Sequence, residues 1–564
     1  MASSSLSPAG HVDASKRATN SSTEGLSAAS PSASQEAPPQ SEPAHGITVT
    51  LGQPTEQLRV EEPVEDEIDY PTGPQLWLNT VSVLLVTIVA VAIPSLTNEF
   101  KTIDDIGWYS AVYGLIFSSM NFFFGKMYTL FSLKTMYIVS VFIFELGSVI
   151  CTFAPTSKVF IFGRAVAGLG AAGQGAGSMA FISRCFPNHK RPVANGFLGF
   201  AQSFGLVSAP IIGGALTDAF TWRACFGINV PIGVVAIAIT ALWMKDPFPN
   251  PDLELPIREK LKRIDPFGTL LILPSIVCLM MGLQWGGSRY GWQDWRIILL
   301  FALFLALVVG FAYVQHRQQD KAILPPRILK NRTVLASALF TCCTNGLLAV
   351  TEYYIAIYFQ GVRGYTATRA GILGLPMIAG LALASIGSAF GTTWVGYYTP
   401  FMLATSVLAP IATGILTTID LDDSQAKVAA LLGFIGVAVG VGVQQPFTAT
   451  MTVMPPKDVS VALGVLIFGA GIGSSLFVAV SATLFQSRLA YEVSKYAPGS
   501  NMTALGHAGL SEIRKTVGSD HLKDVLFGYN EAVIQTLYLP LGLALLTIVG
   551  SAFTEIKSVK KKRE

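Results

Sequence analysis

The sequence predicts an all-α membrane protein with fourteen transmembrane helices, and three observations predict it. Half of the residues are hydrophobic (51%) and only 13% are charged, where ordinary globular proteins carry roughly a quarter charged residues. Apolar runs of about 20 residues recur from Trp77 to Thr554, each long enough to cross a hydrocarbon core of roughly 30 Å. Lys and Arg collect in alternate connections between the runs, as they do on the cytoplasmic side of membrane proteins. Backbone in lipid must satisfy its own hydrogen bonds, so runs of this length are helices; barrel strands would be about ten alternating residues.

Residues 1–70 are rich in Ser, Ala, Pro and acids, end in EEPVEDEIDYP, and hold no apolar run that could act as a secretory signal. They read as a disordered cytoplasmic tail. The expected spans are 77–97, 106–125, 134–154, 160–183, 194–216, 224–244, 267–286, 295–315, 334–358, 370–392, 400–419, 427–447, 460–486 and 531–552. With the N-terminus inside, the inner connections hold Lys126, Lys134, Arg184, Lys190, Arg191, Lys245, Arg258, Lys260, Lys262, Arg263, Arg317, Lys321, Arg327, Lys330, Arg332, Lys457, Lys557 and 560–563. The outer loops hold about a third as many, and an even number of spans leaves both ends in the cytoplasm.

The basic, proline-bearing loop 245–265 sets a six-helix bundle (71–244) apart from two additional helices (266–315). A second bundle follows, its first five helices in 316–486 and its last at 531–552, with an extracellular loop at 487–530 and a basic tail at 553–564. Many transporters are built from such halves around a central site. The outer loop contains Asn501-Met502-Thr503, a glycosylation acceptor expected to be modified. The triplets at Asn20 and Asn331 fall on the cytoplasmic side and are expected unmodified. The six cysteines show no spacing that suggests a metal or disulfide framework.

No GxxxxGK[ST], HExxH, CxxC or GxSxG occurs, so ATP-driven and enzymatic readings have no motif behind them. No cofactor and no nucleic-acid partner is expected. The fifth span reads SFGLVSAPIIGGAL (203–216). Gly205, Ala209 and Gly213 recur every four residues, so they share one helix face that admits a close backbone. Gly214 adds a further weak point, and Pro210 deprives the Leu206 carbonyl of its helical donor and bends the chain.

Three ionisable residues lie inside expected spans: Glu145 in the third, Arg164 in the fourth and Glu352 in the ninth. Such groups cost a few kcal/mol in lipid unless they snorkel, pair or meet water, and they are functional candidates by default. Arg164 either snorkels to the near outer surface or serves in proton coupling. Glu145 is a structural partner for a polar neighbour or a proton carrier, and Glu352 lines a cavity or carries a proton. Amides and aromatics within spans, among them Asn121, Gln174, Gln202, Asn345, Tyr354 and Gln444, are candidates for a pocket suited to bulky, weakly polar compounds.

The stretch GLVSAPIIGG resembles the GxxxGPxxGG antiporter signature of drug:proton antiporters in the major facilitator superfamily, with Ala209 in place of one Gly. TWRACFGINVPIG (221–233) and IDPFGTLLILPSIVCLMMGLQWGG (264–287) resemble segments of its fourteen-span branch, and the similarity is greatest to fungal toxin and secondary-metabolite efflux pumps. The GRxxxGxG pattern of Gly163, Arg164, Gly168 and Gly170 resembles the family's fourth-span motif, whose Arg is implicated in proton coupling. The resemblance implies the major facilitator fold, two six-helix bundles plus two further helices, working as a monomer that exports a small molecule against protons. Two departures stand out. Leu85 in LLVTIVAVAIP replaces an Asp of the first-span pattern, and GKMYTLFSLK (125–134) keeps Gly125, Lys126 and Lys134 of the loop latch but puts Thr129 in its acidic position. The plasma membrane is the expected location and the vacuolar membrane the alternative. The rival functions are a vacuolar carrier of basic amino acids and a non-transporting receptor or sensor.

Overall fold

Every apolar run from 106 onward forms helix. In chain order these are α1 (Ile106–Leu130), α2 (Leu133–Thr152), α3 (Ser157–Cys185), α4 (Arg191–Ala219), the short α5 (Ala224–Gly227), α6 (Asn229–Trp243), α7 (Pro266–Trp285), α8 (Trp295–Gln318), the short α9 (Pro326–Leu329) and α10 (Arg332–Ile357). They continue as α11 (Ala367–Val395), α12 (Thr399–Leu416), α13 (Gln425–Gly440), α14 (Gln445–Val453), α15 (Pro456–Tyr496) and α16 (Leu522–Phe553). This computed structural model describes Phe100 and residues 106–243, 256, 258–260, 265–286, 290–319, 322–496 and 522–560, all within one compact unit, Pro63–Glu564. The expected first span (77–97), Leu85 and Asn501 lie outside the described residues. Among those described, ten helical stretches are long and apolar enough to cross a membrane.

Local chemistry sets the helix ends. Ser132, Thr156, Asp265, Asn331, Thr366 and Ser424 each stand at an N-cap and accept a hydrogen bond from a backbone N–H of the first turn, which satisfies a donor the helix itself cannot. Gly396 closes α11 with φ +90°, a left-handed conformation that L side chains rarely adopt.

Close packing of backbones assembles the bundle. A Cβ on Gly170 of α3 would fall on the backbone of Phe144 in α2, and one on Gly147 of α2 would fall on Ala167 of α3. The same device recurs later in the chain, where Gly436 of α13 meets the Met377 carbonyl of α11 and Gly473 of α15 meets that of Cys342 in α10. Without a hydrophobic force between helices in lipid, such contacts supply dispersion energy that larger residues would forbid. The additional pair, α7 and α8, packs together and docks through α7 on α1 and α15.

Helices α15 and α16 extend beyond their apolar runs, to Tyr496 and back to Leu522. Their outer turns stay helical because they bury each other. Val493 and Val525 are fully enclosed, the Phe485 and Tyr529 rings meet at 5.4 Å and those of Tyr496 and Phe527 at 4.8 Å.

The glycine contacts make a graded prediction for unfolding in detergent. Gly170→Val inserts atoms where backbone already stands and should destabilise by about 1–3 kcal/mol, whereas Gly371→Ala, whose Cβ would meet nothing within 4 Å, should be neutral or gain up to about 1 kcal/mol. Equal melting temperatures for the two variants would contradict the packing account.

Candidate functional site

A cavity of about 510 Å³ lies between the two halves, where α1, α3 and α4 face α10, α14 and α15. Its polar lining comes from Gln202, Asn345, Gln444 and the hydroxyls of Ser118, Ser178, Ser474 and Ser475, and its apolar lining includes Phe117, Met179, Met280 and Phe447. No lining residue among those described is charged. A broken helix puts Gln444 there. Between α13 and α14 the chain turns through Val441–Gln444, a segment of Gly and Val that ends at Pro446, whose missing N–H already rules out one helical bond. Irregular backbone at membrane depth is tolerated where it lies within protein or beside a cavity. The side chain of Gln444 lies against Gly199 of α4, and its Oε1 has no hydrogen-bond partner among the described residues.

The cavity is shut at one end. Arg191 donates to the Met451 carbonyl (3.0 Å), Asn195 to Thr448 Oγ1 (3.1 Å) and Thr393 to the His189 carbonyl (3.2 Å). Below it Phe122 meets Phe468 edge-on at 5.1 Å, and a Cβ on Gly125 would approach the Ser460 carbonyl to 3.1 Å. All of these lie toward the end where the basic connections gather, the side read as cytoplasmic. Of the remaining latch residues, Lys126 donates to the Ala322 carbonyl (3.2 Å) and Lys134 to that of Ala241 (2.6 Å), while Thr129 donates within its own helix to the Lys126 carbonyl (2.7 Å).

Arg164 does not snorkel. Only 5% exposed, it turns inward, donates through Nε to the Tyr109 carbonyl (2.9 Å) and lays its guanidinium over the Tyr113 ring at 4.3 Å. Tyr113 in turn stacks nearly parallel on Phe117, a cavity residue, at 6.4 Å. One carbonyl and one ring thus take the place of water for a buried cation.

Glu145 is buried apart from the cavity, between α2 and α6, and neither carboxylate oxygen has a hydrogen-bond partner among the described residues. A Cβ on Gly233 would occupy the carboxylate's own position. One turn along, Asn229 donates to Ser148 (3.3 Å), so the residues of the INVPIG stretch build the far wall of this polar pocket. Glu145 and Arg164 make no ion pair. Glu352 is exposed on α10, beside the exposed Tyr353 and away from the cavity lining.

The other sequence candidates are placed as follows. Gln202, Asn345 and Gln444 line the cavity, whereas Asn121 and Gln174 are buried beside it, Asn121 bonded to the Phe117 carbonyl (2.7 Å). Tyr354 sits in the core against Phe485 (5.4 Å). Helix α4 runs without interruption through Gly205, Ala209, Pro210, Gly213 and Gly214; Gly205 is buried, and the side chains of 206–215 are outside the description. Sequence reasoning missed Tyr113, Gly233 and Met280. The INVPIG stretch carried a signal for Gly233, but nothing in the sequence marks which face of α7 or α1 looks inward.

Comparison with known proteins agrees with this architecture. The Major Facilitator Superfamily profile matches residues 76–478. The efflux pump roqT of Penicillium rubens is 40% identical, over 85% of this chain and 88% of that protein. The MFS-type efflux pump MFS1 of Trichophyton rubrum is 39% identical (86% and 91%), and the MFS-type transporter astH of Aspergillus oryzae is 37% identical (90% and 92%). Among solved structures, the human organic anion transporter MFSD10 (TETRAN) superposes with a TM-score of 0.53 at 12% identity, covering 84% of this chain and 100% of that one. The proton:xylose symporter XylE gives 0.56 at 12% identity, covering 86% and 96%.

The Arg164 environment can be tested by stability alone. Tyr113→Phe keeps the ring beneath the guanidinium and should leave thermal unfolding within about 0.5 kcal/mol, while Tyr113→Leu should lose about 2 kcal/mol for a desolvated pair. Equal losses would mean that the ring face contributes nothing.

Proposed function

The chain belongs to the major facilitator superfamily and is an efflux transporter of the membrane, not an enzyme; we propose that it exports a bulky, weakly polar toxin or other secondary metabolite in exchange for protons, by alternating access. One observation carries this reading, the uncharged cavity of about 510 Å³ between two halves that are closed on one side. Its volume is in the range that encloses drug-sized ligands, and its few amides and hydroxyls would orient a ligand held mainly by apolar area. A carrier of basic amino acids would need a carboxylate facing its substrate, and no described lining residue is charged.

Proton coupling would use carboxylates kept away from the cargo. Among the described residues neither carboxylate oxygen of Glu145 has a hydrogen-bond partner, so none of them holds the group in one protonation state. It would take up a proton when its pocket is wetted and lose it when α2 and α6 shift. Arg164, tied through Tyr113 and Phe117 to the cavity wall, would sense occupancy, and Glu352 would serve the C-terminal half. The stretch from Gly205 to Gly214 would let α4 bend against its partner as the halves rock. On this reading 71–244 and 316–552 are the moving halves, the additional helices travel with them, and the protein works as a monomer in the plasma membrane. Named relatives are efflux pumps, in keeping with outward transport.

Reconstituted liposomes carrying a proton gradient test the coupling with Nile red as the neutral probe. Glu145→Gln fixes the residue in a form that cannot release a proton, so gradient-driven movement should fall at least about tenfold, equivalent to about 1.4 kcal/mol in the driven step, while dye exchange without a gradient persists. Gradient-driven movement unchanged in Glu145→Gln, Glu352→Gln and Arg164→Ala alike would remove the coupling assignment.

A further inference from the structure

The two additional helices are not spectators at the edge of the fold. Helix α7 presents Ile272, Ile276 and Met280 at four-residue intervals, one face of a helix, and all three are buried in an apolar cluster with Leu115, Met179 and Leu198. Its other side is turned outward, with Phe267 and Leu270 exposed. The inward face docks on α1 and α15. At the depth of the cavity these two helices carry small residues, Gly114 on α1 and Ala470 and Gly471 on α15, all of them in the lining. A Cβ on Gly114 would meet nothing within 4 Å, and one on Gly471 would meet only Ser118. Gly114 leaves open space, whereas Gly471 lets Ser118 of α1 come close, and the described lining residue that reaches the cavity from outside both bundles is Met280.

We propose that Met280 forms an apolar subsite of the export cavity, contributed by the additional helix pair, which receives an aromatic or other flat apolar part of the cargo. This inference rests on the export reading above. The subsite lies with Leu115 and Met179, while the amides of Gln202, Asn345 and Gln444 supply the polar part of the lining. Met280 is 4% exposed, so it is held by the cluster and offers only its tip. An unbranched thioether adapts to irregular shapes and makes favourable contacts with aromatic rings, which suits a wall that must accept cargo of varied outline. Met280 is the one described lining residue from α7 and α8, so the pair touches cargo through a single side chain.

Site-resolved thiol labelling tests this in the full chain in liposomes, with a membrane-impermeant, positively charged methanethiosulfonate reagent and mass spectrometry to read each position. The variants are Met280→Cys, Gln202→Cys as the cavity reference and Leu270→Cys on the outward face. Because access governs the reaction of a given thiol, the thiol introduced by Met280→Cys should react within about tenfold of the rate in Gln202→Cys and at least about tenfold faster than that in Leu270→Cys. Nile red should slow the reaction in Met280→Cys. Labelling of the introduced thiol in Gln202→Cys with none in Met280→Cys would overturn the subsite while leaving the cavity intact, and absence of labelling in both would overturn the cavity reading on which it stands. A reaction in Met280→Cys that the dye does not slow would refute the assignment of aromatic cargo to this wall.

Discussion

Close approach of helix backbones is the constraint on which the rest of the structure depends. Helices in lipid cannot be driven together by escape from water, because the tails around them are as apolar as their own side chains. They hold through contact at short range, and the positions that permit it are Gly147 and Gly170 between α2 and α3, Gly436 between α13 and α11, and Gly473 between α15 and α10. Each removes a side chain so that a backbone can take its place. The cavity follows from the same rule applied unevenly. Where α1 and α15 carry Gly125 and the ring pair of Phe122 and Phe468 they close on each other, and where α1 carries Gly114, whose added Cβ would meet nothing within 4 Å, it leaves room.

The buried charges obey a second constraint, desolvation. A guanidinium removed from water needs acceptors and fields to replace its hydration. Arg164 finds the Tyr109 carbonyl and the Tyr113 ring, both on α1. It thereby ties α3 to α1, so movement of either helix changes the surroundings of the charge. Glu145 has no such replacement among the described residues, and the absence of a Cβ at Gly233 makes space for its carboxylate. A cation held by a carbonyl and a ring, and an acid with no hydrogen-bond partner among the described residues, are different devices. The first is fixed in place by its partners, whereas the second, on the proposed reading, is the group that would exchange a proton.

Much of this is legible in the sequence, and the limits of legibility have a physical origin. Span positions follow from length and apolarity, so the runs from 106 onward coincide with helices. The ionisable residues stand out because lipid makes them rare. Which face of a helix looks inward does not show, because lipid and protein interior are both apolar and the usual periodic contrast disappears. Met280 and Ile276 therefore read like Leu270, although the first two are buried and the last faces outward. For the same reason Tyr354 reads like a cavity residue while it packs in the core against Phe485. The ends of α15 and α16 run past their apolar segments because mutual burial, not lipid, sustains those turns.

The placement of these features argues for a division of labour. Cargo that is bulky and weakly polar is best held where no charge must be desolvated beside it, and the described lining contains none. The proposed proton carrier is best held away from that lining, where its charge state would not act on the cargo, and Glu145 lies apart from it, between α2 and α6. If both functions shared one pocket, a protonation event would alter the affinity for cargo directly, and the cargo would need a charge or a hydrogen-bonding group that answers it. Separation relaxes that demand. On the proposed reading the link would be mechanical, through the stacked rings of Tyr113 and Phe117 that run from the guanidinium to the cavity wall. A transporter arranged as proposed could vary its cargo by changing Phe117, Met179, Met280 or the amides, without rebuilding the site that would couple transport to protons.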